Sequence, residues 1–309
     1  VINFRYHVVS LTAVFLALAI GLVVGTAALN GPVADSLNDQ INTLGRTNGD
    51  LREQVDHLTT EASGKEDFLR QAAPRVIGGT LTNRRVLLLT LPGGRDHVDG
   101  VRALLAVAGA KVTGRVDLQE KFTDPANSVE LLDLADRALV PSIPAATLPG
   151  NSDGVEKSGA LLSGVLLDRT PPVPAVDLRA VLSAYQTAGY LSVVGQVTGP
   201  AEVVVLVTGL QYTDKDAAAR NKNVLTTAAQ LDRAGRIVLG APGIAGDGNA
   251  VAAVRADPTL ARTISTVDNI GTVQGQLVTS LAVAGQLGNV VGQYGVGSGA
   301  QGLLPRAAA

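Results

Sequence analysis

The sequence contains no cysteine, no methionine and no tryptophan, and only three histidines. The missing cysteine removes disulfides, thiolate zinc sites, iron–sulfur clusters and thiol nucleophiles together, and the missing methionine removes the thioether ligands that soft metals prefer. Chemistry, if any, must come from oxygen and amide groups, or from surfaces. Aromatic residues are few, five Tyr and four Phe, and Phe4, Tyr6 and Phe15 stand together before the rest. That is too little for the two aromatic girdles of a transmembrane β-barrel. Charge of either sign is also scarce: 25 Lys plus Arg balance 27 Asp plus Glu, and the net charge is −2. With no basic stripe, the chain has no general electrostatic hold on a polyanion, which argues against nucleic acid as a partner. What remains, 309 residues of which 46% are hydrophobic, is a globular composition with one exceptional segment.

That segment is residues 11–29, LTAVFLALAIGLVVGTAAL, uncharged throughout. As a helix it reaches roughly 28 Å, enough to cross the hydrocarbon core of a bilayer. Arg5 and His7 precede it, Asp35 and Asp39 follow it, and the next basic residue is Arg46. The positive-inside rule places the N-terminal side in the cytoplasm and everything beyond Asn30 in the periplasm-like space. A cleaved signal peptide is the competing reading, since Gly25, Thr26 and Ala27 offer a small-x-small site. The length of the run and the helical pattern that resumes after it favour an uncleaved single-pass anchor in the cell membrane. Gly21 and Gly25 form a GxxxG spacing through which two such helices can approach, although glycine is common in membrane spans for other reasons.

Beyond Pro32 the apolar residues fall on a seven-residue repeat. Ala34, Ile41, Asn48, Val55, Ala62 and Leu69 occupy one seam position, and Leu37, Leu44, Leu51, Leu58 and Lys65 the other. β-Branched Ile41 and Val55 at a, with Leu44, Leu51 and Leu58 at d, favour a parallel two-stranded coiled coil, and Asn48 at a fixes register and dimer state at some cost in stability. The expected partner is therefore a second copy. The competing reading is a single amphipathic helix on its own domain, since Gly45, Gly49 and Gly64 each weaken a helix by nearly ~1 kcal/mol. His57 falls on the outer face and reads as a solvated side chain. A stalk of about 36 residues would extend some ~54 Å.

After residue 74 the pattern changes. Apolar runs at 86–91, 112–118, 191–194, 202–207, 236–239 and 263–267 read as strands, and helical periodicity at 98–108, 129–139, 159–167, 177–188, 214–234, 250–255 and 273–287 separates them. Asp177 reads as a helix cap, and Pro74 with Gly78 and Gly79 as the end of the stalk. The alternation predicts an α/β domain with a Rossmann-like or flavodoxin-like, mostly parallel sheet. The expected organisation is an N-terminal tail and anchor at 1–30, a stalk at 31–73, the α/β domain at 74–295 and a Gly/Ala-rich flexible tail at 296–309.

No constellation for catalysis stands out, so the chain reads as a non-enzyme without a cofactor. The loop Leu91-Pro-Gly-Gly-Arg-Asp96 could hold an anion at a helix start, but it matches neither GxGxxG nor the Walker pattern and reads better as a structural turn. Asp96 and His97, with Asp99, form a weak ligand-site candidate, although acidic residues in a first helical turn are expected on dipole grounds. His97 would have to serve any Ser-His-Asp triad, and no GxSxG elbow exists. Asp214 and Asp216 read as capping residues. Asp268, just after the last strand, lies where open α/β sheets bind ligands and is the third weak candidate, with helix capping as its alternative.

Four stretches carry a resemblance: residues 4–21 (FRYHVVSLTAVFLALAIG), Ser265-Thr-Val-Asp-Asn269, the helix beginning Gly275-Gln-Leu-Val, and Gly292-Gln-Tyr-Gly295. Together they resemble the actinobacterial MctB family of copper-transport proteins over nearly the whole chain. The resemblance implies a cell-envelope protein, either a pore-forming component that expels copper across the outer envelope or, as for the SteB-like members, a scaffold that pairs with a SteA-like membrane partner in envelope assembly, division and control of a peptidoglycan hydrolase. Copper is implied by the resemblance alone. The absent Cys and Met, which Cu(I) prefers, and a single span without a lumen favour the scaffold.

Overall fold

The computed structural model describes residues 4–30, 32–243 and 249–305. The chain divides into two compact units, up to Lys65 and from Glu66 onward.

The first unit is helical. Helix α1 (Phe4–Asn30) includes an apolar stretch, Phe4–Ala27, that is long enough to cross a membrane and none of whose residues is buried within the chain. It is apolar all round rather than on one stripe, as expected of a helix whose solvent is lipid. Its threonines bond within the helix: the Thr12 hydroxyl donates to the Val8 carbonyl at 2.8 Å and Thr26 to Leu22 at 2.9 Å, an arrangement compatible with a medium without water. Helix α2 (Pro32–Ile77) starts on proline, whose missing N–H costs nothing in a first turn. On it Ile41, Leu44, Leu51, Val55 and Leu58 are 55% to 69% exposed, so their own chain leaves this seam uncovered.

Pro74 does not end this helix. It sits in the final turns, α2 runs on to Ile77, and the stop comes at Gly78, whose N–H bonds the Pro74 carbonyl at 3.2 Å, and at Gly79, with φ +78°. A proline in a helix removes its own donor and crowds the carbonyl four residues earlier, a cost that this final stretch tolerates. Ala73 and Ile77, both fully buried, hold the turn in the core of the second unit.

That unit is built on a seven-stranded sheet of β1 (Arg85–Thr90), β2 (Lys111–Leu118), β3 (Leu191–Val194), β4 (Val203–Val207), β5 (Arg236–Gly240), β6 (Ser265–Val267) and β7 (Gln293–Tyr294), in the order β3-β2-β1-β4-β5-β6-β7. Every neighbouring pair is parallel except β2 with β3. On one face α3 (Arg95–Val107), the end of α2 and, from later in the chain, α10 (Val273–Leu287) cover Val86, Leu88, Val203, Val205 and Val238. On the other face Leu87, Leu89, Val204, Leu206, Ile237 and Leu239 pack with the layer formed by α4 (Glu120–Thr123), α5 (Ser128–Arg137), α6 (Gly154–Leu166), α7 (Ala175–Thr187), α8 (Ala217–Ala234) and α9 (Ala250–Ala256). Alternate residues of the central strands thus serve two cores, which is why β1 and β4 are continuous apolar runs. Within the second layer the buried Tyr185 hydroxyl donates to Ser158 at 2.8 Å, and Ser158 to the Leu131 carbonyl at 3.2 Å, joining α7, α6 and α5.

Two local expectations change. Asp177 lies inside the first turn of α7, whose cap position is Pro174, and its carboxylate accepts from the Ser142 amide at 3.2 Å. The stretch after Gly295, mobile by composition, is hydrogen-bonded as far as Gly302: Gly295 N–H bonds the Gly302 carbonyl at 3.1 Å, and Gln301 N–H the Gln293 carbonyl at 2.7 Å. It lies along the outer edge of β7. Residues 306–309 of the expected tail fall outside the described residues.

Candidate functional site

In an open α/β sheet, ligands enter at the carboxyl ends of the strands where the order reverses, here between β1 and β4. That crevice is closed by backbone. Leu91 N–H bonds the Val207 carbonyl at 2.9 Å, and Gly94 N–H the Leu91 carbonyl at 2.9 Å. A Cβ on Gly94 would collide with the Val207 carbonyl oxygen, and one on Gly209 would stand 2.8 Å from Gly93 Cα. Both glycines are there because two loops touch. The space left between Leu91, Pro92, Gly209 and Tyr212 is about 10 Å³, about one water and far from a nucleotide.

The candidates around it are dispersed. Asp96 is exposed, and His97 is half-buried beside Gly271, where a Cβ would lie 3.4 Å from the imidazole Cε1. Asp99 stands 3.4 Å from Arg102 and 3.7 Å from Arg115. Asp214 accepts from the Asp216 amide at 2.9 Å ahead of α8. Among the described residues no three His, Asp or Glu gather closely enough to hold a metal ion.

Asp268 has a different environment from either expectation. The cap of α10 is Thr272, which accepts from Gly275 N–H at 3.1 Å. Asp268 is instead completely buried and faces Arg255, itself 4% exposed, at 2.8 Å. Its two oxygens also accept from the amides of Val296 and Gly297, each at 2.8 Å. Arg255 spreads its other donors over the Tyr294 carbonyl at 2.7 Å, the Ser298 carbonyl at 2.9 Å and the Thr266 hydroxyl at 3.0 Å. Gly295, at φ +131°, is pressed against the carboxylate so that any Cβ would overlap it. Thr266 donates to Gln293 Oε1 at 2.6 Å, and the Gln293 amide reaches the carbonyls of Ala261 and Ile264 at 2.9 and 3.0 Å. Gly275 abuts the Asn269 carbonyl. The STVDN, GQLV and GQYG stretches are therefore brought together as one knot at the end of the sheet, with four of the five Arg255 donors and both Asp268 oxygens bonded to protein. Arg255 escaped the sequence reading. Its only signal is a lone cation in the otherwise apolar AVAAVRA helix.

A membrane-length apolar helix, a long helix with an uncovered heptad seam, and a Rossmann-like sheet domain with a shut crevice define a helix-tethered α/β protein. The chain belongs to the family described as "Copper transport outer membrane protein, MctB", whose pattern matches residues 1–305. It is 29% identical over 310 residues to the Copper transporter MctB of Mycobacterium tuberculosis (strain ATCC 25618 / H37Rv) and 30% identical over 313 residues to that of Mycobacterium leprae (strain TN), in each case across 98% of both chains.

Proposed function

We propose that the protein is a membrane-anchored, non-catalytic component of copper transport in the cell envelope, working as copies paired along α2, with copper as cargo. One observation carries this reading: the match to proteins named Copper transporter MctB extends over 98% of both chains, so apolar helix, long helix and α/β domain all have counterparts there. The donor inventory shapes it further. Without Cys or Met the chain offers no soft ligands for Cu(I), and one apolar helix encloses no lumen, so its part in moving copper lies in assembly. The uncovered seam from Ile41 to Leu58, with Asn48 at its centre, supports a parallel homodimer, and Gly21 and Gly25 allow the spans to pack beside it.

Removing the gene from its host and measuring cell-associated copper tests the reading. Copper rises, tolerance falls, and both are restored by the intact gene but not by one carrying Leu44→Asp with Leu51→Asp. Unchanged copper content in the deletion strain sinks the proposal.

The SteB-like scaffold is the second reading, in which a SteA-like membrane partner and a peptidoglycan hydrolase are the contacts. It is favoured by the lack of a three-donor cluster among the described residues. Affinity purification from membranes separates the two, since division and wall enzymes copurify in one case and metal-handling proteins in the other.

A further inference from the structure

A groove of about 530 Å³ opens between α6, the C-terminal end of α8 and the segment around residues 143–149. It lies near the amino ends of β4 and β5, at the opposite side of the sheet from the closed crevice, since Leu167 in its wall bridges to Ala201 and Ala234 precedes β5 by two residues. Its size is within the ~300–1,000 Å³ typical of ligand pockets. The floor is apolar: Ile143, Leu148 and Leu167 are 2%, 8% and 2% exposed.

Three charged side chains line this groove, and two of them are accounted for. Asp168 is gripped by Arg85 through two bonds, at 2.9 and 2.6 Å, so its charge is neutralised from outside. Arg233 reaches Glu156 at 3.3 Å. Arg169 is different: half-buried, it makes no hydrogen bond or ion pair among the described residues. Its guanidinium rests over Gly164, where a Cβ would lie 3.9 Å from Nη1 and 3.2 Å from Ile143 Cδ1. The close neighbour of Gly164 is thus Ile143 in the apolar floor, with the guanidinium at ordinary contact distance above it. A guanidinium carries five donors in a planar fork and no acceptor, and no nitrogen of Arg169 is among the buried unpartnered atoms of the described residues, so its donors are open to an incoming acceptor.

We propose that this groove binds an organic carboxylate with an apolar body, the carboxylate taking the two parallel N–H bonds of Arg169 and the body covering Ile143, Leu148 and Leu167. The planar fork matches a carboxylate. An inorganic phosphate has no apolar body to lie against this floor.

The test uses the full chain in lipid nanodiscs, with empty nanodiscs subtracted, and follows saturable binding by saturation-transfer NMR. The probes are N-acetyl-L-leucine, its uncharged amide, hexanoate and inorganic phosphate. One acid binds about tenfold or more tightly than the amide, and which of the two acids is stronger tells a chain terminus from a fatty acid. Arg169→Gln removes the preference for acid over amide, Arg169→Lys keeps part of it, and the acid raises the unfolding midpoint of the wild type but not of Arg169→Gln. Equal binding of acid and amide, no saturable binding below about 10 mM, discrimination that survives in a folded Arg169→Gln protein, or phosphate outcompeting both acids would each overturn the assignment. None of these outcomes depends on copper transport.

Discussion

Arg255 Nη1 stands 2.8 Å from Asp268 Oδ2 in a space closed to solvent, and the two side chains between them engage five backbone and side-chain groups of β6, β7 and the segment that follows β7. Removing one member of such a pair leaves the other charged, buried and alone. Asp268→Ala is expected to destabilise the α/β domain by about 3–5 kcal/mol, read as a shift in the urea midpoint. A loss below about 1 kcal/mol would mean that water reaches the pair.

The closed crevice makes a second prediction. At Gly94 a methyl group has no space beside the Val207 carbonyl, so Gly94→Ala forces the two loops apart and costs about 1–3 kcal/mol. Thermal unfolding of the purified protein checks it, and an unshifted midpoint would show that the loops part easily, reopening the case for a ligand between β1 and β4.

A third concerns pH. Burial pushes the Asp232 carboxyl above its ordinary value of 3.8, against the Thr263 hydroxyl bond and the nearby Arg233, which act the other way. Below the ordinary value both folded and unfolded chains hold the proton, and the group contributes nothing. As pH rises from there through the raised value, the unfolded chain releases its proton first, so folding loses stability, and the loss is complete at neutral pH. Asp232→Asn should therefore unfold at a higher temperature than the wild type at pH 7, with the gap closing near pH 3. A gap that ignores pH would assign the effect to something other than ionisation.

The absence of native cysteine gives a clean background for testing the seam. Single cysteines at Leu44 or Leu51 should cross-link into dimers in native membranes under mild oxidation, while a cysteine at Arg46, on the outer face of the same repeat, should not. Equal cross-linking at all three positions would speak for random collision. In the same assay, replacing Asn48 by Leu should tighten association and admit higher oligomers.

The strands that were easiest to recognise, Val203–Val207 above all, are those buried on both faces, because a residue that meets a core on either side must be apolar whatever its parity. The apolar helix and the α/β class were legible for similar reasons. What stayed hidden depends on partners distant in the chain. The antiparallel pairing of Leu191 with Leu118, the two-residue strand at Gln293, and the ordering of Val296 and Gly297 are settled by contacts that no local pattern records. Asp268 is the sharpest case. An aspartate after a strand reads as a cap or a ligand, and its actual role needs Arg255, on the short helix before β6. Pro74 misled in the opposite sense, since a strong local signal for a helix end was overridden by the burial of Ala73 and Ile77.

Because Asp268 and the outer edge of β6 find their final partners only at residues 293–302, a chain that stops earlier carries an open sheet edge and leaves the Arg255–Asp268 pair without the carbonyls of Tyr294 and Ser298 and the amides of Val296 and Gly297. The α/β domain therefore closes its sheet and satisfies its buried ion pair only with the last strand to be synthesised.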